Sequence, residues 1–131
     1  MTRSAMVIGF GSIGKRHSEI LSIMDEIANV TVFSSQSGLP YETLSSLKDI
    51  IHLNPDYVVI ASPTNRHYPE LKFLEEHLEG KKILVEKPLF DSMVDFKVLN
   101  NEVYVGYNLR FHPLINKIRA LCRGRKLWSM H

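Results

Sequence analysis

The stretch from Ala5 to Gly14, AMVIGFGSIG, constrains this chain more than any other. Ala5 to Ile8 is a short apolar run, which reads as a strand buried on both faces. From Ile13 onward the apolar positions Ile13, Ile20, Leu21, Met24 and Ile27 recur at helical spacing. Between strand and helix stands Gly9-Phe10-Gly11-Ser12-Ile13-Gly14, a G-x-G-x-x-G turn in the setting that gives it meaning. Gly9 permits the tight turn, Gly11 lets the backbone approach a diphosphate, and Gly14 lets the helix lie close on the sheet. The free N–H groups and the dipole of that helix then favour an anion. A tight turn without a ligand is the plainer reading of the same residues.

The pattern continues as alternating strands and helices. Val30–Phe33 reads as a second strand, SSQSGLP as turn chemistry, and Leu44, Leu47, Ile50 and Ile51 as a short helix closed by Asn54-Pro55. Tyr57–Ala61 is the next strand. Pro69 suits the first turn of a helix whose inner stripe is Leu71, Leu74 and Leu78, ended by Gly80. Ile83–Val85 is a further strand, followed by a weakly patterned crossover over Phe90–Leu99 and a last strand in EVYVGY. Pro113 opens a final helix with Leu114, Ile118 and Leu121. Short buried strands with helical crossovers mean a parallel sheet covered on both sides. The expected fold is a Rossmann-type, doubly wound α/β sheet, with residues 1–131 as one domain.

Composition narrows the function classes. With 131 residues, 44% apolar and 23% charged, the chain suits one globular domain. A net charge of +2 does not argue for nucleic acid. The basic positions Arg110, Lys117, Arg119, Arg123, Arg125 and Lys126 read as a solvated helix face and tail. No apolar run is long enough for a membrane span. Cys122 is the single cysteine, so no internal disulfide forms, and it reads as a small buried apolar residue. The N-terminus shows no signal peptide, and the expected location is the cytoplasm. His52, His77, His112 and His131 share no metal spacing, so no metal is expected.

In a parallel sheet the carboxyl ends of the strands lie on one rim, where ligands bind. Gly9, Ser34, Ala61-Ser62-Pro63-Thr64-Asn65, Glu86-Lys87-Pro88 and Gly106-Tyr107-Asn108 therefore converge. This accounts for KKILVEKPL, in which an apolar strand ends in a carboxylate, an ammonium and a proline. About 20 residues past the third glycine, a carboxylate often takes the adenosine ribose. Here that place holds Ser34 and Ser35, with no acid between Glu26 and Glu42 and no cation between Arg16 and Lys48. Either NAD or NADP fits, with a lean to NADP because nothing repels a ribose phosphate.

The ordered set GFGSIGKRH, VVIASPTNRHYPE, ILVEKPL and VGYNLRFHP resembles the nucleotide-binding domain of the glucose–fructose oxidoreductase / inositol dehydrogenase (Gfo/Idh/MocA) family. The resemblance covers nearly the whole chain. It implies that the glycine turn holds the diphosphate and that Ser62, Pro63, Thr64, Asn65 and His67 line the nicotinamide ribose. Glu86 and Lys87 would lie by the nicotinamide, with Lys87 near the substrate hydroxyl, where an ammonium stabilises developing alkoxide charge. Pro88 would set the turn, and Asn108 and Arg110 would reach the pocket. The family's second domain carries the substrate pocket and usually the subunit interface, and no part of it is expected within these 131 residues. The chain thus reads as the cofactor half of an oxidoreductase for a sugar, nucleotide sugar or cyclitol, weak or inactive alone. Oligomers are compatible with it. A free-standing NAD(P)-sensing module is the alternative. Lys87 paired with Glu86 at the surface, and His17 and His67 as packing or capping groups, are the plainer roles for those side chains.

Overall fold

The computed structural model of the chain describes residues 3–87 and 98–106. β1 (Arg3–Ile8), β2 (Ile27–Phe33), β3 (Glu42–Leu44), β4 (Tyr57–Ile60), β5 (Lys82–Glu86) and β6 (Glu102–Gly106) form one sheet, ordered β3-β2-β1-β4-β5-β6. Every pairing is parallel. Parallel neighbours need crossovers, which α1 (Ser12–Ser22), α2 (Asp49–Leu53) and α3 (His67–His77) help to build.

Side chains alternate across each strand, so the sheet has two cores. Ala5 and Val7 of β1, Val59 of β4 and Leu84 of β5 pack with Ile20 and Leu21 of α1. On the opposite face Met6, Ile8, Val58, Ile60, Ile83 and Val85 pack with Ile50 of α2 and with Leu71 and Leu74 of α3. Each fully buried aliphatic side chain contributes about 1.5–3 kcal/mol. Burial from both sides is why the central strands read as unbroken apolar runs.

Register fixes the rim. Ile8 pairs with Phe33 and with Ile60, Ile60 with Val85, and Val85 with Val105. The next residue on each strand, Gly9, Ser34, Ala61, Glu86 and Gly106, therefore stands on a single edge. The chain builds outward from β1 to β3, then returns to β4 and builds the other way. The switch point lies between β1 and β4, where such sheets take their ligands.

Three elements differ from the expected pattern. The first helix stops at Ser22, and Ile27 opens β2 instead of closing the helix. Turn bonds from Met24 N–H to Leu21 and from Ile27 N–H to Met24 make that change, and the β-branched residue is still buried. Glu42–Leu44 is an edge strand, because pairing with Thr31–Phe33 of β2 outweighs the local helical spacing. α2 is thereby reduced to Asp49–Leu53 and ends at Asn54 in the left-handed region. α3 begins at His67 after a 3₁₀ turn over Thr64–Arg66. Pro69 still falls in the first turn, where its missing N–H has no intrahelical partner to lose. Of the expected crossover Phe90–Leu99, only Val98 and Leu99 are described, in neither helix nor strand; the helix from Pro113 and Cys122 lie outside the described residues.

Candidate cofactor site

The glycine turn is held by close contacts that only hydrogen allows. Gly9 turns at φ +100°, and a Cβ there would fall 2.9 Å from the Ala61 carbonyl oxygen and from the Ser62 nitrogen. A Cβ on Gly14 would fall 2.0 Å from the Gly9 carbonyl oxygen. Gly11, at the N-terminus of α1, is different: a Cβ there would meet nothing within 4 Å. Two glycines thus seat the turn on the sheet and on its helix, and the third leaves room above it. No side chain caps α1, and its first turn carries no carboxylate. Its unpaired N–H groups and positive dipole end are left for an anion.

That helix end opens on a cleft of about 570 Å³, within the range of small-molecule and cofactor sites. Gly9, Phe10, Gly11, Ser12 and Ile13 line it beside the turn; Ser34 and Ser35 line it at the end of β2; Ala61, Ser62 and Pro63 line it after β4. Gln36, Ser45, Arg66 and Glu70 also line the cleft and were not anticipated. Gln36 Nε2 donates to the Phe10 carbonyl at 2.8 Å, and its backbone N–H donates to Ser34 Oγ at 3.0 Å. The Phe10 ring rests edge-on against Tyr41, centroids 6.0 Å apart. The loops after β1 and β2 are tied together before any ligand arrives.

Across the cleft, Ser62 Oγ donates to Glu70 Oε1, and Arg66 Nε lies 3.6 Å from Glu70 Oε2. Burial pushes the Glu70 carboxyl above its ordinary 4.5, against the opposing pull of the Ser62 bond and of the Arg66 and His67 charges. The spacing of Arg66 and Glu70, four residues apart, was the available sequence signal. His67 is buried, and its Nε2–H donates to the Ser62 carbonyl at 2.8 Å, bracing the loop that carries Ser62. Thr64, Asn65 and His67 are not among the residues that line the cleft.

At the end of β5, Glu86 is buried and accepts a hydrogen bond from His17 Nε2–H on α1. Its carboxylate is turned under the helix, and neither it nor Lys87 lines the cleft. Lys87 follows at the rim and is exposed. Alternation along β5 explains the direction: Leu84 faces α1, so Glu86 does as well. Pro88, Asn108 and Arg110 lie outside the described residues. Among the described residues no group of three or more His, Cys, Asp or Glu could hold a metal ion, and no helix is long and apolar enough to cross a membrane.

A parallel sheet with a glycine turn at its switch point, a helix N-terminus opening on a cleft and hydroxyl groups on the facing loop define a dinucleotide-binding Rossmann domain. The family profile described as "Oxidoreductase family, NAD-binding Rossmann fold" matches residues 3–103, and the chain belongs to that family, Gfo/Idh/MocA. Solved structures share the fold. The WlbA dehydrogenase from Bordetella pertussis, in complex with NADH and UDP-GlcNAcA, is 20% identical with a TM-score of 0.57, covering 68% of this chain and 29% of its own. The scyllo-inositol dehydrogenase from Lactobacillus casei, with NAD(H) and scyllo-inositol, is 22% identical with a TM-score of 0.57, covering 69% and 29%. GenD2 from gentamicin A biosynthesis, in complex with NAD, is 23% identical with a TM-score of 0.59, covering 69% and 28%. The chain thus spans under a third of the length of these neighbours. No curated protein matches it.

Proposed function

We propose that this chain is the cofactor-binding half of an oxidoreductase acting on a hydroxyl carbon of a sugar, nucleotide sugar or cyclitol. One observation carries the reading: the glycine turn and Lys87 stand on the same rim of the sheet, at the ends of β1 and β5. The bound nicotinamide would accept the hydride from the carbinol carbon, and the hydroxyl proton would leave to water. Everything else falls to the protein. The Gly9–Gly14 turn and the N-terminus of α1 hold the diphosphate, Ser34 and Ser35 meet the adenosine ribose, and Ser62 with Pro63 line the opposite wall. Lys87 supplies an ammonium where alkoxide charge develops on the substrate oxygen.

The cofactor proposed is NAD(H) rather than NADP(H). Support comes from the family's description and from the NADH, NAD(H) and NAD complexes of the neighbours. The lean to NADP rested on a missing carboxylate alone. Fixing a substrate carbon against the nicotinamide accounts for up to about 7–11 kcal/mol of a barrier. On this reading the 131 residues by themselves bind cofactor and turn over negligibly.

Titration of the 131-residue chain with NADH, followed by nicotinamide fluorescence, tests the reading. Saturable binding that ADP competes away is expected. No binding of either nucleotide at millimolar concentration would refute it.

A further inference from the structure

His17 is buried on α1, one helical turn beyond Gly14, and donates from Nε2 to the buried carboxylate of Glu86. Its Nδ1 is also buried and has no partner among the described residues. A half-satisfied imidazole in a core gives little net stability, because the desolvation of its idle nitrogen offsets the bond it makes. An apolar side chain would fill the same place on the stripe with Ile20 and Leu21 at less cost. What the polar pair does provide is direction. It links two segments that no backbone bond joins.

The linkage is short and stiff. Gly14 sits directly against the Gly9 carbonyl, so α1 cannot shift without moving the diphosphate turn. Ser18 Oγ donates to the Gly14 carbonyl at 2.9 Å and fixes the same helical turn. From there His17 reaches to Glu86, and Lys87 is the next residue of the chain. We infer that His17 is a positioning residue: its bond to Glu86 holds the end of β5, and with it Lys87, at a set place relative to the glycine turn. The inference rests on the proposed function, in which Lys87 stands beside the nicotinamide.

The test uses the whole 131-residue chain and two ligands. ADP carries the adenosine and the diphosphate; NADH adds the second ribose and the nicotinamide. Affinities come from calorimetry, and the position of Lys87 from its acetylation rate, read by mass spectrometry with ADP or NADH bound. In the wild type, NADH slows acetylation of Lys87 about fivefold or more relative to ADP. In His17→Ala that shielding disappears, while the affinities for ADP and for NADH each stay within about threefold. Glu86→Ala does the same, which covers the case that His17→Ala does not fold. Glu86→Gln keeps an oxygen acceptor for Nε2–H and restores the shielding. Shielding that survives both alanine variants, or a loss of ADP affinity of about tenfold or more in them, overturns the inference and leaves the functional reading standing. A wild type that binds ADP yet shows no shielding of Lys87 by NADH overturns the functional reading, and this inference with it.

Discussion

Gly14 packs on the carbonyl oxygen of Gly9 so closely that a methyl group on it would lie 2.0 Å away. Gly11, two residues along from Gly9, would place its methyl in open space. The two glycines therefore fail differently. Gly14→Ala must push the helix off the turn and should cost about 3 kcal/mol, near the upper end for overpacking. Gly11→Ala should cost about 1 kcal/mol or less, since its φ of −76° suits any residue. It should still lower NADH affinity tenfold or more, because the methyl stands where a diphosphate would lie. Chemical denaturation and NADH titration of both variants check the split. A stable Gly14→Ala protein would mean that α1 is not seated as described.

Glu70 carries a pH dependence of defined sign. Burial holds its carboxyl above the ordinary 4.5, so the folded chain prefers the protonated form. The stability linked to that preference is present in full below 4.5 and is lost as pH rises through the higher folded value. Glu70→Gln keeps an oxygen for Ser62 Oγ–H and has no charge to desolvate. The wild type should therefore lose melting temperature relative to Glu70→Gln as pH climbs from about 4.5 towards neutrality. A constant difference across that range would show that the carboxyl is not perturbed in this way.

Much of this was legible because it is local. The run Ala5–Ile8, the spacing of the three glycines and the run Tyr57–Ala61 each report a periodicity or a turn within a few residues, and the structure has strands and a helix start there, with β1 beginning at Arg3 and β4 closing at Ile60. What could not be read locally is pairing between distant side chains. His17 and Glu86 are separated by 69 positions, and Gln36 and Phe10 by 26. Their partners follow from which strand neighbours which. Once β5 is known to lie beside β4, alternation from Leu84 sends Glu86 towards α1. The edge strand β3 was missed for the same reason, since it exists through its pairing with β2.

The end of the cleft lined by Ser34 and Ser35, where the proposed function puts the adenosine, offers a prediction on cofactor choice. Ser34 and Ser35 are neutral, and Gln36 is occupied with the Phe10 carbonyl. With no carboxylate there to repel a ribose phosphate, the wild type should favour NADH over NADPH by about tenfold at most, or about 1.4 kcal/mol. Ser34→Asp adds the missing carboxylate. It should weaken NADPH at least another tenfold by like-charge repulsion and change NADH by less than threefold. Competition titrations with the two reduced nucleotides measure this. Equal weakening of both would place the adenosine ribose elsewhere.

Lys87 should separate chemistry from binding. It stands at the rim beyond the cleft that Gly9–Ile13 and Ser62 line, so cofactor affinity owes little to it. In the isolated chain, Lys87→Met should leave NADH affinity within about threefold of wild type. In an active enzyme containing this domain, the same change removes the ammonium proposed to face the developing alkoxide charge. There kcat should fall by about 10²–10³, the usual effect of losing one preorganised electrostatic partner, with KM for the cofactor little altered. Lys87→Arg keeps the charge but spreads it over a planar fork with different reach. It should recover only part of the rate. Should Lys87→Met instead raise KM for the cofactor and leave kcat intact, the lysine holds the nucleotide and takes no part in hydride transfer.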